Sequence, residues 1–322
     1  MPITKATSVQ IPSRFPPQLA TLATRPPHGK YFWEIKFDGY RMMARVHAGK
    51  VTLYTKNGAD WTSKFKSVAA AVESLGLQDA WLDGELVAQD ADGRPDFGAL
   101  QEAISQKKTD ELVLYVFDLM FYRKTDLRPR KLEFRRAKLK KLLSGHETEQ
   151  VRISEDFDQP VESLLSSACA MNLEGLVGKR AGSPYISGRS TDWLKLKCRN
   201  RQEFVIVGFT QSSTGLGSVL LAIYDDAGAV NYAGRVGSGF NARNLQSVHK
   251  ALKPIVTETS ALIDPGAVSV KHAVWVQPTL VCEAKFAEVT RKGRIRHGVF
   301  VALRTDISPT EVSIETPIDP VN

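Results

Sequence analysis

One lysine of this chain lies among residues suited to nucleophilic chemistry. Lys36 belongs to residues 34–41, EIKFDGYR. In an extended strand Lys36 and Asp38 share one face, Gly39 allows close approach of the backbone to a ligand, and Arg41 adds a planar fork for phosphate or ribose oxygens. A lysine becomes a nucleophile when its amine loses its proton, which burial or nearby cations promote. The run therefore predicts a strand that ends at a pocket, although a half-buried strand with a surface ion pair explains it equally well.

Carboxylates suited to a hard cation recur in two later segments. Residues 81–87, WLDGELV, carry Asp83 and Glu85 on one face of a short apolar run. Residues 173–180, LEGLVGKR, bring Glu174 into a second β-prone run beside a glycine. Oxygen ligands of this kind hold Mg²⁺ or a ribose hydroxyl. Taken singly, each segment is more simply an amphipathic strand with solvated charges.

A fourth segment supplies paired cations. Residues 193–199, WLKLKCR, alternate strictly, so Lys195 and Lys197 share one face of a strand. Two ammonium groups on one face favour a phosphate ligand. The coincidence of a candidate nucleophile, carboxylates and paired cations in one chain makes four unrelated amphipathic strands a strained explanation.

The order and content of these segments resemble the nucleotidyltransferase motifs of the ATP-dependent DNA ligase and mRNA capping superfamily. The resemblance runs over about residues 17–306 and is closest to the ligase module of bacterial multifunctional end-joining ligases. The residues that support this closer match are 17–22 (PQLATL), 57–62 (NGADWT), 95–101 (PDFGALQ) and 188–190 (GRS). As a set these motifs are highly specific, although any single one is not.

Carried over position by position, the resemblance implies a nucleotide site. Lys36 would form a covalent phosphoramidate with AMP, and Glu34 would lie against the adenine edge. Arg41 would meet the ribose or the nick terminus. Phe117, in residues 115–119, YVFDL, matches the aromatic residue that stacks on the purine. Without the surrounding motifs Phe117 is better explained as a core residue of a buried strand.

The same resemblance assigns the charged residues around the phosphates. Glu85 would contact the ribose and a metal ion, Mg²⁺ or Mn²⁺, and Glu174 would bind the metal. Lys195 and Lys197 would contact the α-phosphate of ATP. Lys56 falls where the family has a basic residue for the strand that bears the 5′-phosphate.

One departure from the family pattern lies near the C-terminus. The family pairs an arginine and an acidic residue with a lysine that helps to orient the departing pyrophosphate. Residues 303–307 read LRTDI, so Ile307 stands in place of that lysine. We expect the first step to rely on Arg304 alone, or on Arg294 or Arg296, and self-adenylylation to be slower.

Composition agrees with a nucleic-acid partner. The 322 residues carry a formal net charge of +8, which favours binding to a polyanion. Their hydrophobic content of 43% is enough for two packed cores. The cysteines Cys169, Cys198 and Cys282 are widely spaced, and neither they nor the six histidines show zinc-ligand spacing. We therefore expect a reducing compartment and no zinc. Without a signal core or a run of about 18 apolar residues, a soluble cytoplasmic protein is predicted.

The pattern of elements predicts an α+β fold with two domains. Residues 1–199 would form an adenylation (nucleotidyltransferase) domain, behind a proline-rich lead-in of about 30 residues that opposes regular structure. Residues 200–322, rich in short strands, would form an OB-fold β-barrel interrupted by a helix at 241–252. The basic run on a predicted helix at 131–143, which includes Arg135 and Arg136, is most simply a solvated face. Candidate DNA contacts of the barrel are Arg235, Arg243, Arg291, Lys292, Arg294 and Arg296.

The family resemblance, with which these patterns agree, implies an ATP-dependent DNA ligase that acts as a monomer on nicked or broken double-stranded DNA. Ku and an end-processing polymerase are partners by resemblance alone. The alternatives are RNA ligation, an mRNA guanylyltransferase that uses GTP, or a nucleic-acid-binding module without catalysis.

Overall fold

The computed structural model describes residues 10–212, 215–268 and 273–320, with the side chains of Ala242 and Arg243 also outside the description. The chain divides into two compact units. The first comprises Met1–Cys198 together with Pro317–Asn322, and the second comprises Arg199–Thr316. The last residues of the chain thus return to the first unit, whereas the sequence analysis had assigned residues 200–322 as one domain.

Within its described residues, 10–198 and 317–320, the first unit has two largely antiparallel sheets and four α-helices that pack with them. The strands are β1 (Gln18–Leu22), β2 (Tyr31–Ile35), β3 (Tyr40–His47), β4 (Lys50–Thr55), β5 (Ala80–Val87), β6 (Val113–Tyr122), β7 (Thr125–Asp126), β8 (Val151–Ile153), β9 (Asp156–Phe157), β10 (Gly175–Arg180) and β11 (Gly188–Lys197). The helices are α1 (Lys66–Ser74), α2 (Phe97–Gln106), α3 (Leu132–Leu143) and α4 (Val161–Ala170). One sheet has the order β1-β11-β10-β2-β9, and the other has the order β4-β3-β5-β6-β7 with β8 beside β6.

The second unit is a β-rich body with one α-helix among its described residues. Its elements are β12 (Arg201–Ser212), β13 (Gly215–Tyr224), β14 (Val230–Val236), α5 (Ala242–Leu252), β15 (Val256–Thr257), β16 (Ala273–Lys285), β17 (Glu288–Val289), β18 (Ile295–Arg296) and β19 (Val299–Arg304). The strand order is β14-β13-β12-β16-β15, with β19 also paired to β16. The predicted α+β class and the OB-fold with an inserted helix are confirmed.

Local sequence signals explain where the helices begin and end. Asp96 caps α2 by accepting a hydrogen bond from Ala99 N at 3.0 Å, and Lys107 ends the helix in the left-handed conformation with φ 58°. Asn241 and Asn244 form a reciprocal capping box at the start of α5. Helix α4 was not predicted from the sequence.

The proline-rich lead-in contains a strand that the sequence analysis did not expect. Gln18–Leu22 forms β1 and pairs in parallel with β11 at the edge of the first sheet. The prolines flank this stretch rather than interrupt it, so its backbone amides remain available for pairing. From the other end of the chain, Ile318 exchanges backbone hydrogen bonds with Leu22 and Thr24 at 2.9 and 3.0 Å.

Two of the cysteines are joined. Cys169 and Cys198 form a disulfide with a Cα–Cα distance of 5.2 Å, although 29 residues separate them. This pairing runs against the expectation of a reducing compartment, which rested on cysteine spacing, because disulfides are typical of oxidising compartments. Spacing alone concealed the pair, since it does not reveal that the ends of α4 and β11 lie side by side. Among the described helices, none has the length and apolar content to span a bilayer.

Candidate nucleotidyl-transfer site

The first sheet brings the predicted cations to one face. Lys36 follows β2 directly, and its backbone N donates to Gly175 O at 3.0 Å. On the other side of β10, Gly175 lies opposite Lys197 of β11. Residues in register across neighbouring strands project from the same face, and so do residues two apart on one strand. Lys36, Lys195 and Lys197 therefore share a face, together with Glu34.

Glu174 is the direct partner of Lys36. Its Oε2 lies 2.5 Å from Lys36 Nζ, and the two side chains are 10% and 21% exposed. Gly175, the next residue, has φ 145°, and a Cβ there would come within 1.9 Å of Leu196 O. Only glycine fits at this position, so the entry to β10 holds Glu174 against Lys36.

The surroundings of Lys36 favour its charged form. Burial lowers the pKa of Lys36, but the charge and hydrogen bond of Glu174, with added contributions from Glu85 and Asp38, raise it above the ordinary value. The expected neutral amine is therefore not the form that these surroundings favour. Any transfer chemistry at Lys36 must include loss of this proton.

Arg41 is fixed by a buried carboxylate. Its Nε and Nη2 each lie 2.6 Å from an oxygen of Asp83, whose side chain is fully buried. Arg41 Nη2 also donates to Gln18 O at 3.1 Å, and Tyr185 Oη donates to Asp83 at 2.7 Å. Asp83, which the sequence suggested as a cation ligand beside Glu85, instead orients Arg41.

Phe117 lies between cations rather than beside an open surface. The ring is 7% exposed, and its centroid lies 4.5 Å from Arg41 Cζ and 4.5 Å from Lys179 Nζ. Trp193 meets the ring edge-on at 6.0 Å. Among the fully buried side-chain polar atoms of the described residues, Nε1 of Trp193 is the one without a hydrogen-bond partner.

Glu34 is the centre of a buried ionic cluster. Its carboxylate accepts hydrogen bonds from Arg136 and, at 2.7 Å, from Ser154 Oγ, and Lys179 Nζ lies 2.7 Å from Oε1. Arg136 also donates to Asp156 at 2.6 Å. The carboxylate has about four acceptor positions, and these donors occupy most of them.

Sequence reasoning missed Arg136 and Lys179. Arg136 belongs to the basic run on α3, but Arg135 and Arg136 are only 0% and 5% exposed. The prediction of a solvated face is thus wrong for these two residues. Arg135 bonds Asp118 at 2.8 and 3.0 Å. Each of the two arginines has a buried acidic partner. These partners would have identified the arginines as buried, but they are distant in the sequence and cannot be recognised before the fold is known.

The carboxylates that act on Lys36 are those of Glu174, Glu85 and Asp38. Glu85, half-buried on β5, lies opposite Arg41 in register and acts electrostatically on Lys36 together with Asp38. Within the described residues, no group of three or more acidic, histidine or cysteine side chains is arranged to hold a metal ion. Mg²⁺ is usually held by one or two carboxylates plus substrate phosphates. Glu85 and Glu174 fit that mode of binding.

The remaining predicted cations differ in their surroundings. Lys56 is half-buried just after β4. In the second unit Arg235 and Arg291 are exposed. Arg294 lies 5.3 Å from the Tyr232 ring centroid, and Arg296 pairs with Glu288 at 2.8 Å. Lys292 is exposed, and the side chain of Arg243 lies outside the described residues.

Arg304 is held inside the second unit. It bonds both oxygens of Asp306 at 2.8 and 2.7 Å and Glu283 at 3.1 Å. Glu283 also pairs with Arg201 at the start of β12. The neighbouring Ile307, which replaces the expected lysine, packs against the apolar cluster that contains Val281 and Val312.

The chain matches known protein families over most of its length. A model described as ATP dependent DNA ligase domain covers residues 16–197, and one described as ATP dependent DNA ligase C terminal region covers residues 212–307. The multifunctional non-homologous end joining protein LigD of Pseudomonas aeruginosa is 44% identical over 316 residues, which are 96% of this chain and 38% of that protein. LigD of Mycobacterium tuberculosis is 32% identical over 291 residues, which are 88% of this chain and 37% of that protein.

Solved structures give the same result. A mycobacterial DNA ligase D, solved with ATP and MES, is 30% identical with a TM-score of 0.67, covering 92% of this chain and 97% of that one. The ligase domain of M. tuberculosis LigD is 30% identical with a TM-score of 0.53, covering 94% and 98%. The full-length LigD proteins of P. aeruginosa and M. tuberculosis are longer than these solved chains, and this chain spans less than two fifths of their length. The resemblance carried by the motifs is confirmed, and this chain belongs to the family of ATP-dependent DNA ligases.

Proposed function

We propose that this chain seals nicked double-stranded DNA with ATP, through AMP held covalently on Lys36. The observation that carries the proposal is the position of Lys36. Its amine is paired with Glu174 at 2.5 Å, on the sheet face that also bears Lys195 and Lys197, in a chain of the DNA ligase family. A nucleophile, an adjacent proton acceptor and a pair of cations are the groups that nucleotidyl transfer requires.

In the first transfer the Lys36 amine attacks the α-phosphorus of ATP, a nitrogen–phosphorus bond forms, and pyrophosphate leaves. Glu174 lies within hydrogen-bonding distance of the amine and is positioned to receive its proton. Lys195 and Lys197 offset the negative charge that develops on the α-phosphate. A Mg²⁺ or Mn²⁺ ion, held by Glu85 and Glu174, would supply further charge neutralisation to the phosphates.

The base and the sugar are assigned to neighbouring residues. Glu34 would accept a hydrogen bond from the adenine amino group, and Phe117 would pack against the purine. Arg41 would meet the ribose or the nick terminus, in an orientation fixed by Asp83. After the first transfer, AMP passes to the 5′-phosphate of a nick, and the 3′-hydroxyl then attacks that phosphate and expels AMP.

The cations assigned to DNA and pyrophosphate are supported less directly. The DNA backbone would be contacted by Lys56, Arg235, Arg291, Arg294 and Arg296, since phosphate neutralisation dominates the affinity of such interfaces. The orientation of pyrophosphate is assigned to Arg304, with Arg294 and Arg296 as the alternatives. The Arg304 guanidinium is bonded to Asp306 and Glu283, whereas Arg296 is an exposed residue.

Intact mass spectrometry tests the first transfer. The protein is first treated with pyrophosphate and Mg²⁺ to remove any AMP already bound, and is then incubated with ATP or GTP. We expect one added nucleotide monophosphate with ATP, none with GTP, and none in Lys36→Ala. An adduct that persists in Lys36→Ala contradicts the assignment, and an adduct with GTP alone favours a guanylyltransferase.

A sealing assay tests the substrate. Duplexes that carry one nick between DNA strands or between RNA strands are incubated with protein, ATP and Mg²⁺. Sealing of the DNA nick supports the proposal, whereas sealing of the RNA nick alone supports RNA ligation. The names of the LigD relatives also support a role in end joining. Ku and an end-processing polymerase as partners, and a location in the bacterial cytoplasm, are proposed on the family resemblance alone. Co-purification with Ku would test that role.

A further inference from the structure

The Cys169–Cys198 pair has no role in the proposed transfer, yet it lies next to the residue that holds Lys36. Both cysteines are half-buried, and their Cα atoms are 5.2 Å apart, within the range that a disulfide spans. Cys169 is in the last turn of α4, and Cys198 follows β11 as the last residue before the second unit begins.

The disulfide closes a small ring around the turn that leads to Glu174. Cys198 N donates to Glu174 O at 3.0 Å, so one covalent bond and one hydrogen bond join Cys198 to both ends of residues 169–174. Within this ring Asn172 has a left-handed φ of 59°, and Leu173 N donates to the O of Ala168, the residue just before the ring, at 2.9 Å. Joining the two ends of this turn reduces the number of backbone conformations that the turn can adopt.

The position of this turn decides the position of the Lys36 partner. Glu174 Oε2 contacts Lys36 Nζ at 2.5 Å, and the next residue, Gly175, accepts the backbone hydrogen bond of Lys36. Loss of the covalent link leaves the Cys198 N–Glu174 O hydrogen bond and the pairing of β10 with β11, but it removes the direct tie between Cys198 and the start of the turn at Cys169. A shift of Glu174 by about 1 Å is enough to slow a positioned transfer many-fold.

We propose that Cys169 and Cys198 form a reversible thiol–disulfide site that sets the rate at which Lys36 takes up AMP, with faster uptake in the linked form. This inference rests on the proposed function of Lys36. A hydroperoxide is the class of oxidant that forms the link. One thiolate attacks the peroxide oxygen to give a sulfenic acid, and the second thiol displaces its oxygen. In net terms, two thiols and one hydrogen peroxide give one disulfide and two waters. A dithiol reverses the step and becomes a disulfide itself.

The third cysteine provides an internal comparison. Cys282 is 1% exposed, and burial, with a contribution from Glu283, raises the pKa of its thiol well above the ordinary range. A buried thiol of this kind reacts slowly, because the thiolate is the reactive form. Oxidant should therefore act on the half-buried pair and leave Cys282 unchanged.

The test compares one protein in two redox states. Wild-type protein, freed of AMP with pyrophosphate, is either reduced with dithiothreitol or oxidised with hydrogen peroxide that is then removed. Peptide mapping establishes whether Cys169 and Cys198 are linked. Uptake of AMP at Lys36 is then followed under single-turnover conditions. We expect uptake to be about threefold or more faster in the oxidised protein. Cys169→Ser and Cys198→Ser should show the reduced rate under both conditions, and Cys282→Ala should respond as wild type does.

Equal rates in linked and reduced wild type overturn the inference and leave the Lys36 assignment intact, since the adduct still forms. Failure of the two cysteines to link under oxidant also overturns it. Absence of any adduct in both states overturns the proposed function and this inference together. Retention of a redox response in both serine variants assigns the effect to some other group and overturns the proposal as well.

Discussion

Two lysines of the first sheet, Lys36 and Lys179, have opposite electrostatic surroundings. Carboxylates dominate around Lys36 and raise its pKa. Burial, aided by the charge of Arg136, lowers the pKa of Lys179 in spite of Glu34. Their access to ligands is opposite too, since the side chain of Lys36 is 21% exposed and that of Lys179 only 2%.

A lowered pKa is commonly used as the mark of a nucleophilic lysine. Of these two lysines that criterion selects Lys179, whose amine is buried and donates to Phe117 O at 3.0 Å. Lys36 has the less favourable pKa, but its amine faces the acidic groups and the paired cations. The position of the amine therefore favours Lys36 as the nucleophile, although the direction of the pKa shift favours Lys179. Because the pKa of Lys36 is raised, the reaction must remove a proton that the surroundings hold on the amine.

The largest expected effect is the loss of the AMP adduct. Lys36→Met should lower adduct formation about 1,000-fold or more, because methionine keeps the shape of the side chain but has no amine. Lys179→Met should still form the adduct, more slowly, since Lys179 acts through Glu34. Intact mass after incubation with ATP and Mg²⁺ measures both. An adduct lost in Lys179→Met but kept in Lys36→Met would reverse the assignment.

The second expected effect concerns the buried cluster that surrounds Lys179. Arg136→Met removes one partner of the buried Glu34 carboxylate and should lower the free energy of unfolding by about 3–5 kcal/mol. Lys140→Met on the same helix removes an exposed partner of Asp156 and should change it by less than about 1 kcal/mol. Urea unfolding followed by tryptophan fluorescence measures both. Equal effects of the two variants would show that the cluster does not stabilise the first unit.

The third prediction uses pH. Because the pKa of Lys36 is raised above its ordinary value of 10.5, the neutral amine should be scarcer than in a free lysine at neutral pH. Its reactivity should rise about tenfold per pH unit up to that raised pKa. Glu174→Gln removes the largest raising influence and should shift the profile to lower pH. Acylation of Lys36, quantified by peptide mass spectrometry between pH 7 and about 10, tests this. A profile unchanged in Glu174→Gln would contradict it.

The smallest effect concerns two exposed cations that are paired with carboxylates. If Arg296 contacts a DNA phosphate, Arg296→Ala should reduce the salt dependence of DNA binding by roughly one ion. Arg25→Ala is the matched control, since Arg25 is also an exposed cation paired with a carboxylate, Asp319, and is not a predicted contact. Binding titrations at several salt concentrations measure the slope. The same slope in wild type and Arg296→Ala would remove Arg296 from the interface.

Local pattern predicted several elements that carry the site, although not β1 or α4, and it predicted the short-range arrangement of the site residues. Strict alternation in β11 predicted that Lys195 and Lys197 share a face, and the helix near residues 132–143 follows from its leucine spacing. The contacts that set the pKa values of the buried groups instead join residues that are far apart in the sequence. Glu34 meets Arg136 across 102 residues, and Lys36 meets Glu174 across 138. No local pattern reports such a pairing, and motif resemblance supplied Glu174 but neither Arg136 nor Lys179.

The return of the chain end to the first unit has a practical consequence. Because Ile318 pairs with Leu22 and Thr24, the tail covers backbone groups at the end of the edge strand β1. A protein shortened to residues 1–198 would leave those amides and carbonyls open to pairing with another molecule, and uncovered strand edges promote self-association. Expression of the first unit alone should therefore include residues 317–322, joined to Cys198 through a flexible linker.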